Sequence, residues 1–258
     1  EGGQLYLLLH RDKNQTKNMT GAITLRGTAP TEEGVEDLAA LYIDDGRYSF
    51  SAGKDTVPIT IDGYVTIETR YSCNQTFTNL TATNDTDELH FRTTNTEGRI
   101  VSYTLAYNKD LPGAAYKGTI VVEKPKSDGN PSQDPLEQVA LSISHGSTIS
   151  GAAKFVVEDQ AALWLSAAGL TIGQVDLQNR SVLRNNAGGS QVRQNITKML
   201  VNEFAQTYLY SPNGTTQWRL NSIEGDGFVT SLFEGESFNP SIIYLNTPNE
   251  NFTGYLTF

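Results

Sequence analysis

The chain has 258 residues, with 29 Asp and Glu against 19 Lys and Arg, and a formal net charge of -10. That balance, without any Lys/Arg-rich run, disfavours nucleic acid and anionic membrane surfaces as partners. The only cysteine, Cys73, rules out an internal disulfide, and no apolar run approaches the roughly 18 residues that a membrane span needs.

Gln4 to His10 reads Gln-Leu-Tyr-Leu-Leu-Leu-His, apolar on both faces. Such a strand suits the middle of a sheet or insertion into a neighbouring subunit, so Leu5, Tyr6, Leu7, Leu8 and Leu9 form a candidate assembly strand. Further strands are expected at Ala22–Arg26, Leu38–Ile43, Arg47–Ser51 and Val57–Ile61. Asp45-Gly46 and Asp62-Gly63 are two-residue turn signals, and the second pairs Val57–Ile61 with Tyr64–Tyr71 as a hairpin. A helix fits Thr31–Ala40 apart from Gly34.

Cys73 to Thr86 carries three Asn-X-Thr acceptors, Asn74, Asn79 and Asn84, each five residues after the last. On a straight strand Asn74 and Asn84 would share one face and Asn79 the other, which implies an exposed, sugar-coated ribbon. Asn14, Asn18, Asn179, Asn195, Asn213 and Asn251 bring the total to nine. Chance in a chain with this much Asn, Ser and Thr supplies roughly three to four. The excess implies export through a glycosylating secretory pathway to an extracellular or cell-surface site, with N-linked glycans and no other cofactor. No apolar signal segment opens the chain, so the expectation is a mature form. Cys73 is expected to be a buried, inert thiol.

Beyond the ribbon, strands are expected at Glu88–Thr93, Arg99–Tyr107 and Ala115–Glu123. Lys124 to Pro135 then holds three prolines and almost nothing apolar, as a linker does. Later strands are expected at Gln138–Ser144, Lys154–Glu158, Ala162–Ser166, Leu170–Leu177, Thr207–Ser211, Thr216–Asn221, Phe228–Glu234, Ser241–Leu245 and Phe252–Phe258, with a turn at Pro212-Asn213-Gly214. Val192, Ile196, Leu200 and Phe204 recur every four residues and predict a helix over Gln191–Ala205. No repeat of 20 to 50 residues is evident. Short, evenly spaced strands predict an all-β fold of two β-sandwich domains, Ig-like or jelly-roll-like, with at most one or two short helices. Their expected bounds are 1–124 and 137–258, joined by a linker at 125–136.

Catalytic motifs are missing. His10, His90 and His145 are far apart in sequence, and no metalloprotease, phosphate-binding or nucleophile-elbow motif occurs. Acidic clusters at Asn84–Glu88 and Glu224–Gly227 make Asp85, Asp87, Glu88 and Asp226 weak calcium candidates, without EF-hand spacing. Trp164 is placed on a strand face where it is exposed, covers an interface or offers a sugar-stacking platform, whereas Trp218 is expected in the core.

The two-faced strand Leu5–Leu9, the all-β body, the single cysteine and the dense Asn-X-Thr sites resemble the subunits of extracellular archaeal filaments built by strand donation, the thread and bundling-pilus type. Fungal cell-wall glycoproteins share most of this pattern. The resemblance implies a homopolymer in which one subunit's strand completes the next subunit's sheet. The resulting expectation is a secreted, heavily N-glycosylated structural or adhesive surface protein that binds copies of itself and surface glycans and is not an enzyme. The alternative is a secreted carbohydrate-binding protein or glycoside hydrolase using exposed aromatics and a carboxylate pair.

Overall fold

The computed structural model describes residues 5–8, 16–18, 21–30, 41–45, 47–49, 51–52, 55–56, 58–69, 75–77, 80–93, 101–106, 116–124, 139–144, 154–189, 191–202, 205–210, 215–232, 241–246 and 248–257. These residues contain no helix. The first strands are β1 (Leu5–Leu8), β2 (Thr16–Asn18), β3 (Ile23–Gly27), β4 (Leu41–Asp45), β5 (Arg47–Ser49), β6 (Ser51–Ala52), β7 (Asp55–Thr56) and β8 (Ile59–Thr69). Next come β9 (Gln75–Phe77), β10 (Leu80–Ala82), β11 (Glu88–Thr93), β12 (Val101–Ala106), β13 (Thr119–Val122), β14 (Val139–Ser144), β15 (Lys154–Val157) and β16 (Ala161–Leu165). The last are β17 (Thr171–Leu177), β18 (Val182–Asn185), β19 (Gln191–Val201), β20 (Gln206–Tyr210), β21 (Thr215–Gly225), β22 (Phe228–Leu232), β23 (Ser241–Leu245) and β24 (Tyr255–Thr257).

The fold is a parallel β-solenoid, not two β-sandwich domains. One sheet runs β1-β4-β8-β11-β13-β15-β17-β19-β21-β23, with β3 and β10 also on β8. The other runs β2-β5-β9-β12-β14-β16-β18-β20-β22-β24, so the chain alternates between the two as it climbs. Every ladder is parallel except the short pairing of β6 with β7. A sandwich needs neighbouring strands to be antiparallel and close in sequence, whereas here each strand lies on the one a full winding earlier. Val65 opposes Leu89, 24 residues on, and Val101 opposes Val139, 38 residues on. This structural repeat varies too much in length to show as a sequence period. The sheets continue across the proline-rich segment, β12 pairing β14 and β13 pairing β15.

Stacking in register turns single inward residues into continuous apolar columns. Val65, Leu89, Ile120, Phe155, Val175, Met199 and Ile223 follow one another up the first sheet, all essentially fully buried. Leu41, Ile67, Phe91, Val122, Val157, Leu177 and Val201 make a parallel column beside it. Leu141, Leu163, Leu183 and Leu209 face them from the second sheet. Burying side chains of this size is worth about 1.5–3 kcal/mol each, so the columns are the main source of stability. Trp218 lies fully buried among them, as its sequence position predicts.

Two expected features give way for physical reasons. Asp62-Gly63 is not a hairpin turn: Gly63 bends the single strand β8, its first half carrying β3 and β10 and its second half β4 and β11. Gly63 has φ +85°, and a methyl there would sit 2.2 Å from the Gly27 carbonyl oxygen. Both facts demand glycine. The stretch Gln191–Ala205 is not a helix either, because its residues through Val201 form β19. A spacing of four satisfies the strand period of two as well as a helical turn. Val192, Gln194 and Ile196 are buried, then Met199 and Val201, so the inward set changes parity at 197–198 as the strand turns a corner. The ladder skips a residue at the same place, Ile196 meeting Leu220 and Lys198 meeting Ser222. Leu200 is consequently only half-buried.

A second corner is held by polar side chains inside the stack. Gln194 Oε1 accepts from Leu170 N–H at 3.1 Å, and its Nε2 donates to the Ala167 carbonyl and to Asn185 Oδ1, each at 2.9 Å. Asn185 Nδ2 donates to Thr216 Oγ1 at 2.8 Å. All three side chains are buried, and low polarity around them strengthens each bond.

The ribbon expected over Cys73–Thr86 is only partly exposed. Phe77 and Leu80 belong to the core, and the Phe77 ring lies 5.8 Å from that of Phe91. The helix expected at Thr31–Ala40, the turn residues 212–214, and His10, His145 and Cys73 lie outside the described residues.

Candidate functional site

Each expected site residue has a definite position where the structure describes it. Asn84, Asn179 and Asn251 are exposed at bends or turns between strands. Asn195 alternates with the inward Gln194 and Ile196, so it lies on the outer side of β19, half-buried, where its Nδ2 donates to the Leu170 carbonyl at 3.2 Å. Asn18 belongs to β2. Asn14, Asn74, Asn79 and Asn213 lie outside the described residues. Leu5, Tyr6, Leu7 and Leu8 form β1, the terminal strand of the larger sheet, paired in parallel with β4 of the same chain. Leu9 lies outside the described residues.

The calcium candidates do not converge. Asp87 is buried and its carboxylate accepts Gly63 N–H at 2.9 Å and Asn84 N–H at 2.6 Å. It thus ties the bend of β8 to the turn that precedes β11. Burial alone would raise its pKa, but these donors outweigh it and hold the carboxyl below its ordinary range. Glu88 binds His90, while Asp85 and Asp226 are exposed. Among the described residues, no group of three or more His, Cys, Asp and Glu is placed to hold a metal ion.

The densest set of titratable groups lies on the outer side of the larger sheet. His90 Nδ1 is 2.8 Å from Glu123 Oε1, and Nε2 is 3.2 Å from Glu88 Oε2. The Tyr64 ring packs against the imidazole with centroids 4.1 Å apart. Burial works against the charged imidazole, yet the bonds and charges of Glu123 and Glu88 prevail and raise its pKa. Glu158 lies just past the end of β15, as Glu123 lies just past the end of β13, and it accepts Lys124 N–H at 2.9 Å. Burial, aided by the charge of Glu123, pushes its pKa up. Beside them Arg92 Nε donates to Glu68 at 2.5 Å. Sequence reading noted His90 and Glu88 separately but did not join them, and it passed over Glu68, Arg92, Glu123 and Glu158, because nothing local links residues 68, 90, 123 and 158.

The second sheet presents a different outer surface. Ser142, Trp164, Arg184 and Tyr210 follow one another in register. The Arg184 guanidinium stacks on both rings, 4.8 Å from each centroid. Ala140, Ala162 and Val182 alongside form a small apolar cluster with Tyr210. Trp164 is therefore half-buried and engaged within the chain.

Finally, burial falls off at β23 among the described residues. Leu220 is fully buried but its partner Leu245 is 45% exposed. Ile242 and Tyr244 on the same strand are also exposed. No helix among the described residues is long and apolar enough to cross a membrane.

No family model, curated protein or solved structure matches this chain. Function must be argued from the geometry.

Proposed function

We propose that the chain is a secreted, N-glycosylated structural or adhesive component of a cell surface, a stiff sugar-coated solenoid that associates with copies of itself, as in an extracellular filament. The observation that carries this reading is the position of the acceptor sites. Asn84, Asn179 and Asn251 all stand exposed at turns around the stack, where a glycan adds no steric conflict with the columns. A solenoid places each winding only against its neighbours, which suits an extended scaffold. Intact-mass measurement of protein from its native source tests the reading. A mass above 28.2 kDa that falls on enzymatic deglycosylation supports it, and a mass equal to that of the bare chain overturns it.

A carbohydrate-binding protein or glycoside hydrolase is the second reading, favoured by the aromatic row at Trp164 and Tyr210 and by the stacked carboxylates Glu123 and Glu158. Glycan-array binding that disappears in Trp164→Ala, or sugar release that disappears in Glu158→Gln, would favour it over the scaffold.

A further inference from the structure

We infer that the outer side of the larger sheet before the 197–198 corner binds an acidic saccharide, whose carboxylate or sulfate groups are held by Arg193 and Arg219. This rests on the adhesive reading above and names its ligand and its site. The face is built from the start of β17, the first halves of β19 and β21, and β23, which lie in register. Thr171, Asn195, Arg219 and Tyr244 follow one another across it, and Arg193 begins the next row, beside Gln217 and then Ile242. These side chains point outward, since Val192, Gln194, Trp218 and Leu220, which alternate with them, are buried. Residues 169–172, 191–197, 215–221 and 241–246 contain Arg193 and Arg219 but no Asp or Glu, in a chain with 29 acidic against 19 basic residues. The face is thus locally positive on an acidic protein.

Neither arginine is committed to a carboxylate of the chain. Arg26, Arg92 and Arg180 pair with Asp62, Glu68 and Asp159, whereas Arg193 and Arg219 have no acidic partner among the described residues. Arg193 is exposed. The Arg219 guanidinium lies 5.1 Å from the centroid of the Tyr244 ring, and its Nε is buried without a hydrogen-bond partner among the described residues. Stacking on that ring orients the guanidinium before any ligand arrives. Sheet spacing puts the two Cα atoms about 8 Å apart, so one extended saccharide can present acidic groups to both. A planar guanidinium meets such an oxyanion with two parallel hydrogen bonds. Tyr244 and Ile242, both exposed, and the Gln217 amide beside them suit the apolar and hydroxyl sides of sugar rings. Nucleic acid carries its charges more densely and is opposed by the net charge of -10.

Equilibrium binding of the full 258-residue chain to hyaluronate, dextran sulfate and neutral dextran tests this. A sugar on Asn195 would cover the arginines, so the parent for these measurements carries Thr197→Ala. That change removes the acceptor sequence and leaves Asn195 bonded to the Leu170 carbonyl. The expected result is salt-sensitive binding to a charged polymer and none to dextran. Preference for hyaluronate identifies a carboxylate ligand, and preference for dextran sulfate a sulfate one. Arg193→Gln and Arg219→Gln should each weaken binding about tenfold or more. Lys198→Gln, whose amine already pairs with Glu224, should change it by less than about twofold. Should Arg219→Gln unfold, Arg193→Gln carries the same test from an exposed side chain. Failure to bind either charged polymer, equally tight binding to dextran or a single-stranded oligonucleotide, or arginine variants that bind like the parent would overturn the proposal. Intact mass of protein from its native source separates the outcomes: a glycosylated chain that ignores both charged polymers removes this site and leaves the surface role standing.

Discussion

Arg92 and Glu68 form an ion pair at 2.5 Å with their side chains only 6% and 7% exposed, on the outer side of a sheet. Such a pair is expensive to break from one side, because the remaining charge stays buried without its counterpart. We expect Glu68→Ala to cost about 3–5 kcal/mol in urea unfolding, and the double replacement Glu68→Leu with Arg92→Met to recover much of that loss. Equal costs for the single and double variants would show that the charges matter little.

Gly63 offers a backbone test. Alanine would have to adopt a positive φ and would also meet the Gly27 carbonyl. Gly63→Ala should lose about 2–4 kcal/mol. Gly21, with φ +96° but nothing within 4 Å, provides the control in which only the conformational cost of roughly 1 kcal/mol applies. Chemical denaturation of the two variants separates crowding from strain.

His90 makes stability depend on pH in a definite direction. The folded protein holds this proton more tightly than an unfolded chain with the ordinary value of 6.5. Its contribution is therefore complete below that value and is lost as pH rises through the raised folded one. Glu158, also raised, acts in the same sense from its own range upward. Asp87, held low, contributes above its ordinary 3.8 and loses this as pH falls through the lowered value. Melting temperatures should decline above neutral pH, and His90→Asn should flatten that decline while leaving the acid limb in place.

Gln194 tests the internal polar corner. Gln194→Leu leaves Leu170 N–H, the Ala167 carbonyl and Asn185 Oδ1 without this partner inside the stack. A loss of about 2–4 kcal/mol is expected from equilibrium unfolding, since buried polar groups then lose bonds without regaining water. A loss below 1 kcal/mol would mean that water enters the corner.

Strand positions were largely legible in the sequence. Glu88–Thr93 and Ser241–Leu245 were read to the residue, and Lys154–Glu158 and Leu170–Leu177 nearly so. Direction and partner were not legible, because alternation reports which side of a strand is inward and says nothing about what lies beside it. Val192 and Ile196 illustrate the ambiguity, their spacing serving helix and strand alike. Gly63 read as a turn since Asp-Gly favours one, yet the same positive φ serves a bend inside a strand. Acceptor asparagines carry a local motif and could be named in advance. The His90 cluster could not, with Glu123 33 residues away and joined only by stacking.

The ladders that join successive windings lie along the direction in which the stack grows. A pull between its two ends therefore loads those hydrogen bonds one winding at a time, as in opening a zip, instead of shearing a whole sheet at once. Freeing the loop from Val65 to Leu89 releases 24 residues, roughly 80 Å of slack. The loop from Lys154 to Gln174 releases only 20, so yielding under tension would come in unequal steps. Under such a pull the solenoid would lengthen winding by winding, absorbing work well before its core was lost.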